Sequence, residues 1–159
     1  MKAMVVYDSM YGNTEKVAQA IGAALGAPEE VETVRVGDVR PEQLAGLSVL
    51  VVGSPTQRFS PTGATTAFLK AIPQGGLAGV KVAAFDTRIT EAEIERIRIL
   101  SFMVRLFGYA AEPMAKRLEQ KGGTLAVPPE GFYVGGTEGP LLEGELERAA
   151  TWARQIAAA

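Results

Sequence analysis

Neither cysteine nor histidine occurs anywhere in the 159 residues. The lack of cysteine rules out disulfides, thiolate chemistry and iron–sulfur ligation. The lack of histidine removes the commonest general base and the commonest metal ligand, which argues against Ser-His-Asp hydrolysis and against a typical zinc site. A surplus of one charge is missing too: 16 basic and 18 acidic residues leave a net charge of −2. That balance is too even for a nucleic-acid binder working through a basic face. No apolar run reaches membrane-spanning length, and no repeat, low-complexity stretch or linker breaks the chain. Lys2 leads straight into a strand pattern with no long apolar h-region or small-residue cleavage site, so a cytoplasmic location is the expectation. A chain of this size buries roughly 70% of its unfolded surface, enough for a core without staples. One domain over residues 1–159 is expected.

What is present is concentrated at the start. Val5-Val6-Tyr7 is a short apolar, β-branched run, Asp8-Ser9-Met10-Tyr11-Gly12-Asn13-Thr14 is a hydroxyl-rich turn, and residues 15–25 carry apolar side chains at helical spacing. A strand that feeds a helix through such a loop aims unpaired N–H groups and the positive end of the helix dipole at one spot above the sheet edge. Ser9 and Thr14 supply hydroxyl donors, Gly12 allows close backbone approach or positive φ, and Asn13 tolerates a strained turn. The spot suits a phosphate. A Gly-Lys-Ser/Thr motif and a G-x-G-x-x-G motif are both absent, which argues against a magnesium-bound nucleoside triphosphate and a dinucleotide fingerprint. The plain alternative is a βα turn in which Ser9 or Asn13 merely caps the helix. An enzyme without His or Cys that carries a phosphate cradle takes its chemistry from a cofactor.

Further along, residues 31–36 alternate as a half-exposed outer strand, and residues 41–44 form a short helical turn. Residues 48–53 are an uninterrupted apolar run that suits a strand buried on both faces. Ser60-Pro61 reads as a cap with proline at the first helical position, opening a helix over 62–72. A strand over 80–85 ends at Asp86-Thr87-Arg88, and Thr90 with Glu93 makes a capping box for a helix over 91–107 that stops at Gly108. A helix over 110–120 and a fifth strand over 124–127 follow. Pro128 and Pro129 forbid simple continuation of that strand, although Phe132-Tyr133-Val134 can resume an extended segment. The last helix covers 143–158, with Leu146, Ala149, Ala150, Ala153 and Ile156 on its apolar face. Strands alternating with helices imply a parallel sheet covered on both sides.

Val6-Tyr7-x-Ser9-x-x-Gly12-x-Thr14, with Ala18 and Ile21 on the following helix, resembles the N-terminal FMN-phosphate signature of the flavodoxin family. The resemblance implies an α/β, flavodoxin-like three-layer sandwich with a five-stranded parallel sheet in the order 2-1-3-4-5, its ligand lying where that order reverses. It also implies FMN as cofactor. Ser9, Met10, Tyr11, Gly12, Asn13 and Thr14 then hold the phosphate. Ser54, Pro55, Thr56, Gln57, Arg58 and Phe59 form the second flavin loop, with Phe59 either covering the ring or sealing the next helix onto the sheet. Asp86, Thr87 and Arg88 occupy the third loop. The aromatic that the family usually has there is missing, and Tyr109 either replaces it or packs at a helix entry.

Two features depart from a dedicated single-electron carrier. Arg58 and Arg88 put positive charge in the flavin loops, which favours reduced, anionic flavin and a higher reduction potential, unless they only pair with Asp8, Asp86 or Glu91. The helix over 91–107 has apolar surface that must be covered, as a lid, a homodimer seam, a docking face or a membrane contact; burial against this chain or its twin is the plainest of these. The leading reading is an FMN-binding oxidoreductase passing electrons between redox partners, either a partner protein or a small-molecule acceptor. An NAD(P)H:quinone oxidoreductase is the alternative, since Ser9-Met10-Tyr11-Gly12 is similar to the phosphate loop of some flavodoxin-like quinone reductases. A flavin-free interaction module on the same shell is the third reading. A receiver domain is excluded, because Asp8 stands alone and the third strand ends in Gly53-Ser54 rather than in a phosphoacceptor aspartate.

Overall fold

A strand that is apolar at every position has to be covered on both faces and paired on both edges, and β1 (Ala3–Tyr7) is buried throughout its length. It pairs in parallel with β2 (Val31–Arg35) on one edge and with β3 (Val49–Pro55) on the other. β3 pairs in parallel with β4 (Lys81–Ile89), giving the sheet order β2-β1-β3-β4-β5 in this computed structural model, which describes residues 1–57, 59–90, 102–104 and 108–159. β2 is the outer strand and only partly buried, as its alternation implies.

The far edge of β4 is shared by two short strands, β5 (Thr124–Leu125) beside Lys81 and Val82, and β6 (Glu130–Val134) beside residues 85–89. The strand expected over 124–127 is cut to two residues, and the extended segment expected over 132–134 is present as β6. Pro128 and Pro129 have no N–H to offer the ladder, and pairing resumes after them. Because β6 supplies a partner, β4 runs on to Ile89 instead of ending at Phe85.

Period-two alternation divides the strands between two cores. Val5, Val51 and Phe85 face one side with α1 (Asn13–Leu25) and α4 (Glu145–Ala158). Val6, Val52 and Ala84 face the other with α2 (Gly63–Ala71) and α3 (Ala111–Gln120). In the first core Phe85, Phe132 and Trp152 meet edge to face, with ring centroids 6.0–6.1 Å apart. The Phe85 ring fills the space a β-carbon would take at Gly53, its neighbour across the β3–β4 ladder.

Two helix starts differ from expectation. α2 is capped by Thr62, whose Oγ1 accepts the Thr65 amide at 3.3 Å, not by Ser60. Ser60 is held in a turn by two backbone hydrogen bonds with Gln57 and so cannot open a helix. In α4, Leu146 is 43% exposed and Glu145 is buried in its place. The first turn of that helix serves β6: Glu145 Oε2 accepts the Tyr133 amide at 2.8 Å, while Arg148 clasps Glu145 and lies 4.6 Å from the Phe132 ring centroid. Apart from residues 102–104, the helix expected over 91–107 lies outside the described residues, as do Glu93 of its capping box and the dimer seam, lid or docking face it was expected to form.

Candidate functional site

The chain leaves β1 through Asp8. Its carboxylate accepts the Ser9 amide at 2.9 Å on one oxygen and the Thr62 hydroxyl at 2.6 Å on the other, so it ties the 9–14 loop to the start of α2. Ser9 Oγ accepts the Gly12 amide at 3.1 Å, which leaves the serine proton free to donate outward. Gly12 sits at φ 89°, the left-handed conformation that favours glycine, and is the N-cap of α1. It offers no side chain to the helix. Among the described residues the amides of Met10, Tyr11, Asn13, Thr14 and Glu15 find no acceptor. A helix end with open donors suits an anion.

Asn13 is not the strained residue of the turn. Its side chain donates to the Glu138 carbonyl at 3.0 Å and brings the segment after β6 over the loop. Thr14 and Thr87 hydroxyls lie 2.8 Å apart and share one hydrogen bond. If Thr87 donates, the Thr14 proton is available to a ligand.

These donors open into a cavity of about 470 Å³, within the range of small-molecule sites. Its walls bring together Ser9, Met10, Tyr11, Asn13 and Thr14 from the first loop, Pro55, Thr56, Gln57 and Phe59 from the second, and Thr87, Arg88 and Tyr109 from the third region. Ile89, Val104, Val134, Gly136 and Thr137 also line it. Those five were missed, since nothing local marks them: three lie on segments that reach the site only through pairing of β6 with β4. Gly12 shapes the loop without lining the cavity, and Ser54 is buried, its hydroxyl accepting the Thr62 amide at 3.0 Å. Arg58 lies outside the described residues. Phe59 adopts φ 68°, a conformation few aromatic residues take, and presents itself to the cavity.

Asp86 does not face the cavity. It is a strand residue on the α3 side, wholly buried, and its carboxylate receives Arg88 Nε at 2.6 Å, Arg88 Nη2 at 2.7 Å and the Ala111 amide at 2.9 Å. Burial pushes this carboxyl above the usual range, while the Arg88 guanidinium and the Ala111 amide pull against that rise. Thr56 Oγ1 accepts the Ala110 amide at 3.1 Å. Asp86 and Thr56 thus anchor the start of α3, just after Tyr109. The Tyr109 ring in turn lies 3.7 Å from the Arg88 guanidinium carbon, a stacked cation–π pair at the cavity wall. Among the described residues no group of acidic side chains could hold a metal ion.

The fold recurs in solved proteins. The crystal structure of Bacillus cereus flavodoxin 1 superposes with a TM-score of 0.76 at 16% identity over 99% of this chain and 98% of that one. B. cereus flavodoxin 2 gives 0.73 at 24% identity over 99% of each. Rubredoxin:oxygen oxidoreductase of Desulfovibrio gigas gives 0.73 at 20%, with 99% of this chain matching 35% of that larger protein. No curated protein sequence is significantly similar to this one. The family model described as flavodoxin matches residues 5–152, nearly the whole chain and both walls of the cavity. With that match, an order-reversing parallel sheet and an open helix terminus at its reversal point, the chain belongs to the flavodoxin family.

Proposed function

We propose that the cavity binds FMN, with its phosphate on residues 9–14 and its ring between Phe59 and the Arg88–Tyr109 wall. The protein then carries electrons between a donor and a redox-partner protein or small-molecule acceptor. Flavodoxins bind FMN and transfer electrons, and membership of the family supports that general reading. The observation that carries it for this chain is the uncapped start of α1, whose free amides open into a cavity of fitting size. Such an end gains from a dianion what it would otherwise take from a side-chain cap. The match over residues 5–152 and the two cores packed on one sheet also support a single domain over 1–159.

Bound FMN supplies reversible electron transfer; the residues supply position and field. Ser9 and Thr14 donate hydroxyl hydrogens to phosphate oxygens alongside the loop amides, each such bond contributing roughly 1.5–3 kcal/mol. Phe59 offers an aromatic face. Arg88 brings positive charge to the ring side, and Asp86 behind it withdraws part of that field, so the rise in reduction potential is smaller than a lone arginine would cause. Among the described residues no helix is long and apolar enough to cross a membrane.

The purified protein is expected to be yellow, or to quench FMN fluorescence when the flavin is added at micromolar concentration. A colourless protein that leaves the fluorescence unchanged overturns the reading in favour of a flavin-free module. Steady-state oxidation of NADH or NADPH with a quinone should be negligible for the isolated protein, and robust turnover would replace the carrier with a quinone reductase.

A further inference from the structure

Arg35 closes β2, on the outer edge of the sheet, yet its side chain reaches the loop after β1. Nη1 donates to the Ser9 carbonyl at 3.0 Å and lies 3.6 Å from Asp8 Oδ1; Nη2 lies 3.6 Å from Glu15 Oε2. The guanidinium rests over the Tyr7 ring, 5.3 Å from its centroid. The ion pairs are long and the arginine side chain is 42% exposed, so the grip on the carbonyl is the more specific contact.

That grip has a geometric result. The Ser9 carbonyl and the Met10 N–H belong to one trans peptide and point in opposite directions. Holding the carbonyl out toward β2 turns the Met10 amide to the other side, where Met10 lines the cavity and its N–H has no acceptor among the described residues. The charge matters as well. Asp8 and Glu15 flank the loop, and both would repel a dianion there; Arg35 is shared between them.

We infer that Arg35 is a positioning residue for a phosphate monoester on the 9–14 loop: through the Ser9 carbonyl it aims the Met10 amide at the phosphate, and it offsets Asp8 and Glu15. This rests on the FMN reading above. It acts without touching the ligand.

The test titrates FMN and riboflavin by fluorescence quenching into the wild type and into Arg35→Met, and follows the Met10 amide by ¹H–¹⁵N spectroscopy. Loss of one charge-assisted contact is expected to weaken FMN by about tenfold or more in the variant, while riboflavin changes by less than about twofold. In the wild type FMN, but not riboflavin, should move the Met10 amide proton downfield, and that readout stands even if the variant fails to fold. Equal losses for both flavins, or a Met10 amide indifferent to FMN, would overturn the role of Arg35. A wild type that prefers FMN beside a variant with the same preference overturns this inference alone. A wild type with no preference overturns the phosphate assignment and this inference together.

Discussion

The Thr14 and Thr87 hydroxyls share a single hydrogen bond at 2.8 Å, so a ligand that accepts from Thr14 fixes the direction of that bond. Thr14→Val removes the donor and is expected to weaken FMN by about one to two decades, the worth of one charge-assisted hydrogen bond, with riboflavin much less affected. Parallel quenching titrations check this. At Gly53 the constraint is space: a β-carbon there would overlap the Phe85 ring. Gly53→Ala should lower stability by about 1–3 kcal/mol, read as a fall in the denaturant midpoint. The turn at Gly12 and the helix it opens could be read in the sequence because both are local; the Asn13 bond to Glu138 and the Thr14 bond to Thr87 could not, because their partners lie far along the chain. Nor could the place of Asp86, because β4 runs past Phe85 between Ser54 of β3 and Gly131 of β6, and that continued alternation carries Asp86 to the α3 face instead of into a loop. Arg35 carried no signal at all in its own neighbourhood; only parallel pairing with β1 brings it to Ser9.

Helix starts repeat that lesson one level up. Ser60-Pro61 has the chemistry of a cap, but the Gln57–Ser60 turn claims its backbone and Thr62 takes over. In α4 the apolar period was legible over Ala149, Ala153 and Ile156 and failed at Leu146, where contact with β6 outweighs periodicity. Glu145 makes that contact. Burial raises its carboxyl, but the Arg148 hydrogen bonds and the Tyr133 amide outweigh burial and leave it below its ordinary 4.5. A depressed folded-state pKa adds stability that is full above 4.5 and is lost as pH falls through the folded-state value. Glu145→Gln is therefore expected to be less stable by about 1.5–3 kcal/mol at neutral pH, with the gap to wild type narrowing on acidification. Urea unfolding at both pH values measures it, and a gap that stays constant would count against the charged role.

Across the whole molecule a parallel sheet covered on both faces followed from alternation of strand and helix in the sequence, and the order β2-β1-β3-β4-β5 is the one implied by the resemblance of the first loop to the flavodoxin signature. The extended segment expected after the two prolines is present as β6, but its pairing with β4 beyond β5 was not legible in the sequence. What the architecture delivers is convergence: the ends of β1, β3, β4 and β6 and one open helix terminus meet at a single cavity. Binding there acts on the fold as a unit, so FMN at about a hundred times its dissociation constant is expected to add roughly 2.7 kcal/mol of apparent stability. The central claim is that backbone amides and hydroxyls between Ser9 and Thr14 hold a phosphate. The ratio of riboflavin to FMN dissociation constants on the unmodified protein, measured by fluorescence quenching at one ionic strength, tests it most directly. A ratio of about a hundred or more is expected from several charge-assisted hydrogen bonds, whereas equal constants for the two flavins would contradict the account.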